Sequence, residues 1–294
     1  MRYIDHNAVR NKMGKRLFLN KLVKVLFAGA TLFGLVVLAI LLYQVIIDSI
    51  GWIDMNFLTG LLSTDAERAG IRGVIVGTLW LMLIVGPVTI TLGVSTALYL
   101  EEYAKKGKIH SFIQTNISNL AGVPSIVFGL LGLTIFVRVL GFGTSIIAGG
   151  LTMSLLVLPI VVVAAQEAIR TVPSEIKEAS YGMGATKWQT IKNIILPASL
   201  PGILTGMILA ISRAIGETAP LVAIGIPALI IPVPSSAFDT FTALPMQIYY
   251  WTLDSVLVDE YANLAAATII VLLVVLFVLN SIAIIIRNKF QKRY

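Results

Sequence analysis

The chain has 294 residues, 57% of them hydrophobic and only 13% charged, with a net charge of +7 and no cysteine. A soluble domain carries about 25% charged residues, so this composition, with a mean hydropathy of +0.91, is that of a polytopic membrane protein. It excludes disulfides and thiolate metal sites, and it leaves His6 and His110, far apart in basic, polar segments, as solvated residues rather than ligands.

Residues 1–24 carry Arg2, Arg10, Lys12, Lys15, Arg16, Lys21 and Lys24. The apolar run 25–47 is long enough, at ~20 residues, to cross a bilayer. It lacks the short core and small-residue cleavage site of a signal peptide, so it is read as a retained first span. Residues 48–70 form a polar loop, and the uncharged run 73–100 is the second span. A turn over 101–110 carries Lys105, Lys106 and Lys108. The stretch 111–166, with Arg138 as its one charge, divides at Gly141-Phe142-Gly143 into spans three and four. Spans five and six are expected over 201–226 and 261–286. The segment 227–260 between them has no lysine or arginine and is broken by Pro227, Pro232, Pro234 and Pro245. The expected fold is therefore all-α and polytopic, with six transmembrane helices.

All but Arg68, Arg72, Arg138 and Arg213 of the 22 lysines and arginines fall in the N-terminal segment, the 101–110 turn, the stretch 170–200 or the tail from Arg287. The positive-inside bias then places both termini and the 170–200 stretch in the cytoplasm of a prokaryotic plasma membrane. The cationic surplus is topological, and it argues against a nucleic-acid partner.

The one substantial polar island inside the apolar tract is P-S-E-I-K-E-A-S-Y-G-M-G-A-T-K-W-Q-T-I-K-N-I-I-L-P, residues 173–197. Pro173 suits the first turn of a helix and Glu175 its positive end. Gly182 and Gly184 break that helix, and Thr186 with Gln189 makes a capping box for a second one. Two short helices on a glycine elbow form a rigid knob suited to docking. Glu178, Ala179 and Ser180, then Gly184, then Ile194, Leu196 and Pro197 resemble the EAA loop of ABC-importer permeases, E-A-A-x3-G-x9-I-x-L-P, with serine for the second alanine. The strings A-G-V-P-S-I-V-F-G-L-L-G-L (121–133), I-S-R-A-I-G-E-T-A-P-L (211–221) and A-L-P-M-Q-I-Y-Y-W (243–251) are similar to the A-type permease subunits of phosphate-specific ABC importers.

That resemblance implies a type I ABC-importer permease architecture. Residues 1–70 would add a basic N-terminus, a first span and an outer loop to a permease core over 71–287. The coupling loop would occupy 171–200 and a cytoplasmic tail 288–294. It also implies a second homologous permease as heterodimer partner, an ATPase dimer seated on the EAA loop, an extracytoplasmic phosphate-binding protein and surrounding lipid. The chain contains no G-x-x-x-x-G-K-[ST], so ATP and Mg would be bound by the ATPase, with no cofactor and no catalytic role here. Another oxyanion, molybdate or sulfate, is the alternative substrate. A stand-alone channel would leave the knob unexplained.

Arg213 is the residue of chemical interest. Counted from the expected start of span five at residue 201 it lies about 12 residues, or about 18 Å, into the helix, near the middle of a ~30 Å core. Glu217, four residues on, shares its face. A guanidinium there would line the path and take phosphate oxygens bidentately, with Glu217 holding the fork. The family places functional residues in this R-x-x-x-E-T segment, which includes Thr218. Arg170 and Ser125 are further pathway candidates.

Overall fold

The computed structural model describes residues 6–228 and 232–290. Arg2, Lys292 and Arg293, counted above among the cytoplasmic charges, and residues 229–231 of the proline-rich segment lie outside them. In chain order the helices are α1 (His6–Ser49), α2 (Met55–Thr59), α3 (Arg72–Leu98), α4 (Lys108–Leu120), α5 (Ser125–Gly132) and α6 (Ile146–Arg170). They continue with α7 (Ser174–Gly182), α8 (Lys187–Thr190), α9 (Leu196–Gly216), α10 (Ala219–Ile224), α11 (Leu244–Asp254) and α12 (Glu260–Phe290). Wide π turns extend α3 to Tyr103 and α5 to Val139, and join α8 to α9. Among the described residues the one β contact is an isolated bridge between Ser145 and Thr240.

Five of these units are long and apolar enough to cross a membrane: Arg16–Ser49, Arg72–Tyr103, Ile146–Arg170, Lys187–Gly216 and Glu260–Lys289. The sixth is a pair, Lys108–Leu120 and Ser125–Val139, bent by 101°. The expected third span is thus two helices at a sharp bend rather than one continuous helix. Pro124 has no N–H to continue a helix and disfavours helical backbone at Val123 before it; it sits at φ −55°, ψ 135° and starts α5 afresh.

α6 is the hub, packed against α3, α5 and α9. Its contact with α9 is made by small residues, as close helix approach in a membrane requires. Gly202 faces Ala168 and Gly206 faces Ala164, and a Cβ at Gly202 would come within 2.8 Å of the Ala168 methyl. α1, by contrast, contributes nothing buried from its apolar window and touches the bundle through α12.

Two further expectations change. The 48–70 stretch is a packed cap rather than an open polar loop: Phe57, Leu62 and Ala69 are buried in a small core with Trp251 and Leu264. Apolar residues interspersed among its charges give it something to bury. Span five ends at Gly216 instead of running on to residue 226. Pro220 explains the stop, since its ring would strike the carbonyl four residues back, at Gly216, and it cannot donate to it. The backbone turns extended at Glu217 (φ −80°, ψ 121°), and α10 follows as a separate short helix seated on α5. That seat depends on Gly129, where a Cβ would stand 2.8 Å from the Pro220 backbone. The proline-rich segment, whose fate the sequence leaves open, contains α11 and lays residues 237–239 on the start of α6 through Ile146 N–H to Asp239 O (3.1 Å) and Ile147 N–H to Ala237 O (2.9 Å).

Candidate functional site

Arg213 lies in the last turn of α9, not in mid-helix. The antiparallel register with α6, 202 opposite 168 and 206 opposite 164, carries Arg213 to about the level of Val157, near the midpoint of α6. The residue is therefore at a helix end yet at mid-bundle depth, the arrangement of a discontinuous membrane helix. The negative end of the helix favours a cation there. Arg213 Nε donates to Glu217 Oε1 at 3.0 Å, with the side chains 45% and 20% exposed. Glu217 Oε1 is the only hydrogen-bond partner of the Arg213 side chain among the described residues, so Nη1 and Nη2 are left without one. One edge of the guanidinium is held and the other is open. Thr218 follows with a long contact to the Pro245 carbonyl (3.5 Å).

Beside this pair, Ser212 Oγ donates to Asn280 Oδ1 at 2.7 Å, tying α9 to α12. Sequence reasoning passed over Asn280, although it is a lone amide in the apolar run 264–286, and polar groups at such depth mark helix contacts or pathways.

Ser125 is half-buried at the start of α5. Arg170 sits elsewhere, at the C-terminal end of α6, and both its arms are occupied: Nη2 to Glu101 Oε1 at 2.7 Å and Nη1 to Glu167 Oε1 at 2.8 Å. Glu101 Oε1 also accepts from Gln166 Nε2 (3.0 Å), whose amide pairs reciprocally with Gln114 (2.8 and 3.1 Å). Arg170 thus staples α6 to the end of α3, and Gln166 extends the tie to α4. The structure does not bring it together with Arg213. Glu101, Gln114 and Gln166 were missed in the sequence because their partners are 52 to 69 residues apart.

The knob is built as its residues suggest. α7 ends at Gly182, Gly184 takes φ +83°, and Thr186 with Gln189 forms the capping box. Ser180, the departure from the E-A-A pattern, is buried and shares a 2.9 Å hydrogen bond with buried Thr190, joining the two arms of the elbow. Glu178 and Ala179 are exposed, as are Met183 (88%) and Trp188 (60%). Ile194, Leu196 and Pro197 are half-buried at the root of α9, where Ile195 and Ser199 are buried. The knob is fastened to the end of α3 by Lys177 Nζ to Glu102 Oε1 at 2.7 Å, with Glu102 8% exposed, and by Lys187 Nζ 4.8 Å above the Tyr103 ring.

A bundle of membrane-length helices with a rigid polar knob at one end and an arginine at a mid-depth helix break is the make-up of a polytopic helical membrane protein. The chain belongs to the family of binding-protein-dependent transport system inner membrane components, whose family model matches residues 89–294, and it is an ABC-importer permease subunit. It is 38% identical over 177 residues to the probable ABC transporter permease protein YqgI of Bacillus subtilis, a match taking in 60% of each chain. It is 30% identical over 286 residues to the phosphate transport system permease protein PstA of Yersinia pestis, covering 95% of this chain and 94% of that one. The fold is shared with a bacterial alginate ABC transporter solved in complex with an alginate pentasaccharide-bound periplasmic protein, at a TM-score of 0.66 and 17% identity over 92% of this chain and 94% of that one.

Proposed function

We propose that this chain is one of two homologous permease subunits of an ATP-driven importer of inorganic phosphate, with both termini and the knob in the cytoplasm. The knob seats in a separate ATPase dimer, which binds the ATP and Mg. An extracytoplasmic phosphate-binding protein delivers the anion to the far end. The full-length similarity to a phosphate transport permease supports the substrate. The observation that carries it is the Arg213–Glu217 pair: Glu217 fixes Nε and leaves Nη1 and Nη2 without a partner among the described residues. A planar, permanently charged donor edge matches two phosphate oxygens, and the carboxylate beside it keeps the empty site from trapping the anion.

Coupling follows from the fastenings. Movement of the knob pulls on the end of α3 through Lys177–Glu102 and Lys187–Tyr103, and on α4 and α6 through the Glu101–Arg170–Gln166–Gln114 cluster. α6 in turn packs on α9, whose far turn holds Arg213. Phosphate uptake by the reconstituted complex, with molybdate and sulfate as competitors, tests the reading. Phosphate-selective, ATP-dependent uptake is expected; uptake of molybdate or sulfate in preference, or uptake without the ATPase, contradicts it.

A further inference from the structure

At the end opposite the knob, a cavity of about 380 Å3 opens between the 61–64 loop, α11 and the start of α12. Tyr250, Trp251 and Tyr261 contribute to its walls, together with Asp254 and Gln247. Both tyrosine hydroxyls are already committed as donors, Tyr250 to the Ile226 carbonyl at 2.7 Å and Tyr261 to the Thr64 carbonyl at 2.8 Å. Apart from the Ser63 and Thr64 hydroxyls, what remains for a ligand is the aromatic surface, an exposed carboxylate and an amide with an unpartnered acceptor. Gln247 is 3% exposed, and its Oε1 meets no hydrogen-bond partner among the described residues. Gln247 lines the cavity, and a buried acceptor without a donor is unfavourable.

This chemistry selects a cation. Ammonium and guanidinium groups are attracted to aromatic faces and to carboxylate, whereas an anion would meet Asp254 and the negative ring faces. The cavity is far roomier than a metal ion needs and offers it one carboxylate. A lysine or arginine fits better, laying its aliphatic stem along the rings and its charge at Asp254.

The surroundings carry the same sign. Asp48 stands at the end of α1, Asp54, Asp65 and Glu67 lie between α1 and α3, and Asp254, Asp259 and Glu260 lie where α11 gives way to α12, against Arg68 and Arg72. Beside Asp254 stand Leu253, Val256 and Leu257, at 52%, 85% and 86% exposed. An acidic field, an apolar ridge and one aromatic pocket together have the make-up of a protein-docking surface, in which charge steers the encounter and an anchored side chain holds it.

We propose that this cavity receives a lysine or arginine side chain of the extracytoplasmic binding protein as that protein docks on the acidic face, an inference that rests on the importer reading above. The acidic field also repels free phosphate, so the anion reaches the path from a docked partner rather than from bulk solution. The test uses the whole transporter in nanodiscs and titrates purified phosphate-binding protein at low and high salt. Asp254→Lys is expected to weaken binding about tenfold and to flatten its salt dependence. Gln247→Met, of similar shape and apolar, is expected to raise the thermal stability of the permease while weakening docking severalfold, and it keeps the test valid if the charge reversal fails to assemble. Binding by the assembled variants within about twofold of the unmodified transporter, too small a change for a lost anchor, overturns the inference and leaves the importer reading intact. Failure of the unmodified transporter to bind that protein overturns the importer reading itself, and the inference with it.

Discussion

Gly184→Val tests the knob at its most constrained backbone position. Gly184 sits at φ +83°, and a Cβ built there meets nothing within 4 Å. The substitution therefore has no steric clash to confuse its effect, and its whole cost is backbone strain of about 1–3 kcal/mol for a β-branched residue. At about 1.4 kcal/mol per factor of ten, the correctly shaped elbow loses about 5- to 150-fold in population if it equilibrates locally. Gly182 is the matched control: a Cβ there also meets nothing within 4 Å, and it is absent from the positive-φ glycines. Gly182→Ala should be neutral or slightly stabilising, and Gly184→Asn should fall between the two, since asparagine tolerates left-handed backbone. The assay is capture of the ATPase by membrane-inserted permease, titrated to a half-saturation point. Normal capture by Gly184→Val, or an equal loss from Gly182→Ala, refutes the argument that elbow geometry governs docking.

Two further outcomes are expected. Ser180→Ala removes the hydrogen bond to Thr190, but Thr190 Oγ1 still donates to the Thr186 carbonyl at 3.2 Å; the loss should stay within about 0.5–1.5 kcal/mol, read as a small fall in thermal midpoint with ATPase capture retained. For topology, the cysteine-free chain allows single labels in intact cells: Val256→Cys, at an 85% exposed position, should react with an impermeant maleimide from outside, and Met183→Cys, at 88%, should not. The reverse pattern overturns the orientation.

The knob was legible in the sequence because its determinants are local. Gly184, the Thr186–Gln189 box and the proline before the first helix each specify backbone within a few residues, and the structure places Gly184 and the box as expected. Pro173 differs by one place, standing just before the helix rather than inside its first turn. The Arg213–Glu217 pair was also legible, since i,i+4 spacing and the cost of an intramembrane charge need no tertiary knowledge. The end of α9 was not, because apolar composition continues through residue 226 while Pro220 acts four residues upstream of itself. The bend at Pro124 escaped for a related reason: apolar runs reveal length, and a proline within one can be absorbed by neighbours or can break it, a choice made by packing. The fastening of the knob to α3 and the Gln166 cluster join residues too far apart for any spacing rule to find.

The most direct test of the account is phosphate uptake by the assembled complex carrying Arg213→Leu together with Glu217→Leu. If the pair only neutralises itself, replacing both charges by apolar side chains should be tolerated, as such replacements often are. The half-exposed arginine argues that little stability is at stake, because a partly solvated pair contributes only about 0–1 kcal/mol, so the variant should insert and capture the ATPase normally. The account predicts that it assembles and does not transport phosphate, and that Arg213→Lys, which keeps the charge and loses the planar fork, is severely but incompletely impaired. Near-normal uptake by the double leucine variant, normalised to assembled complex, would contradict the claim that Arg213 meets the anion.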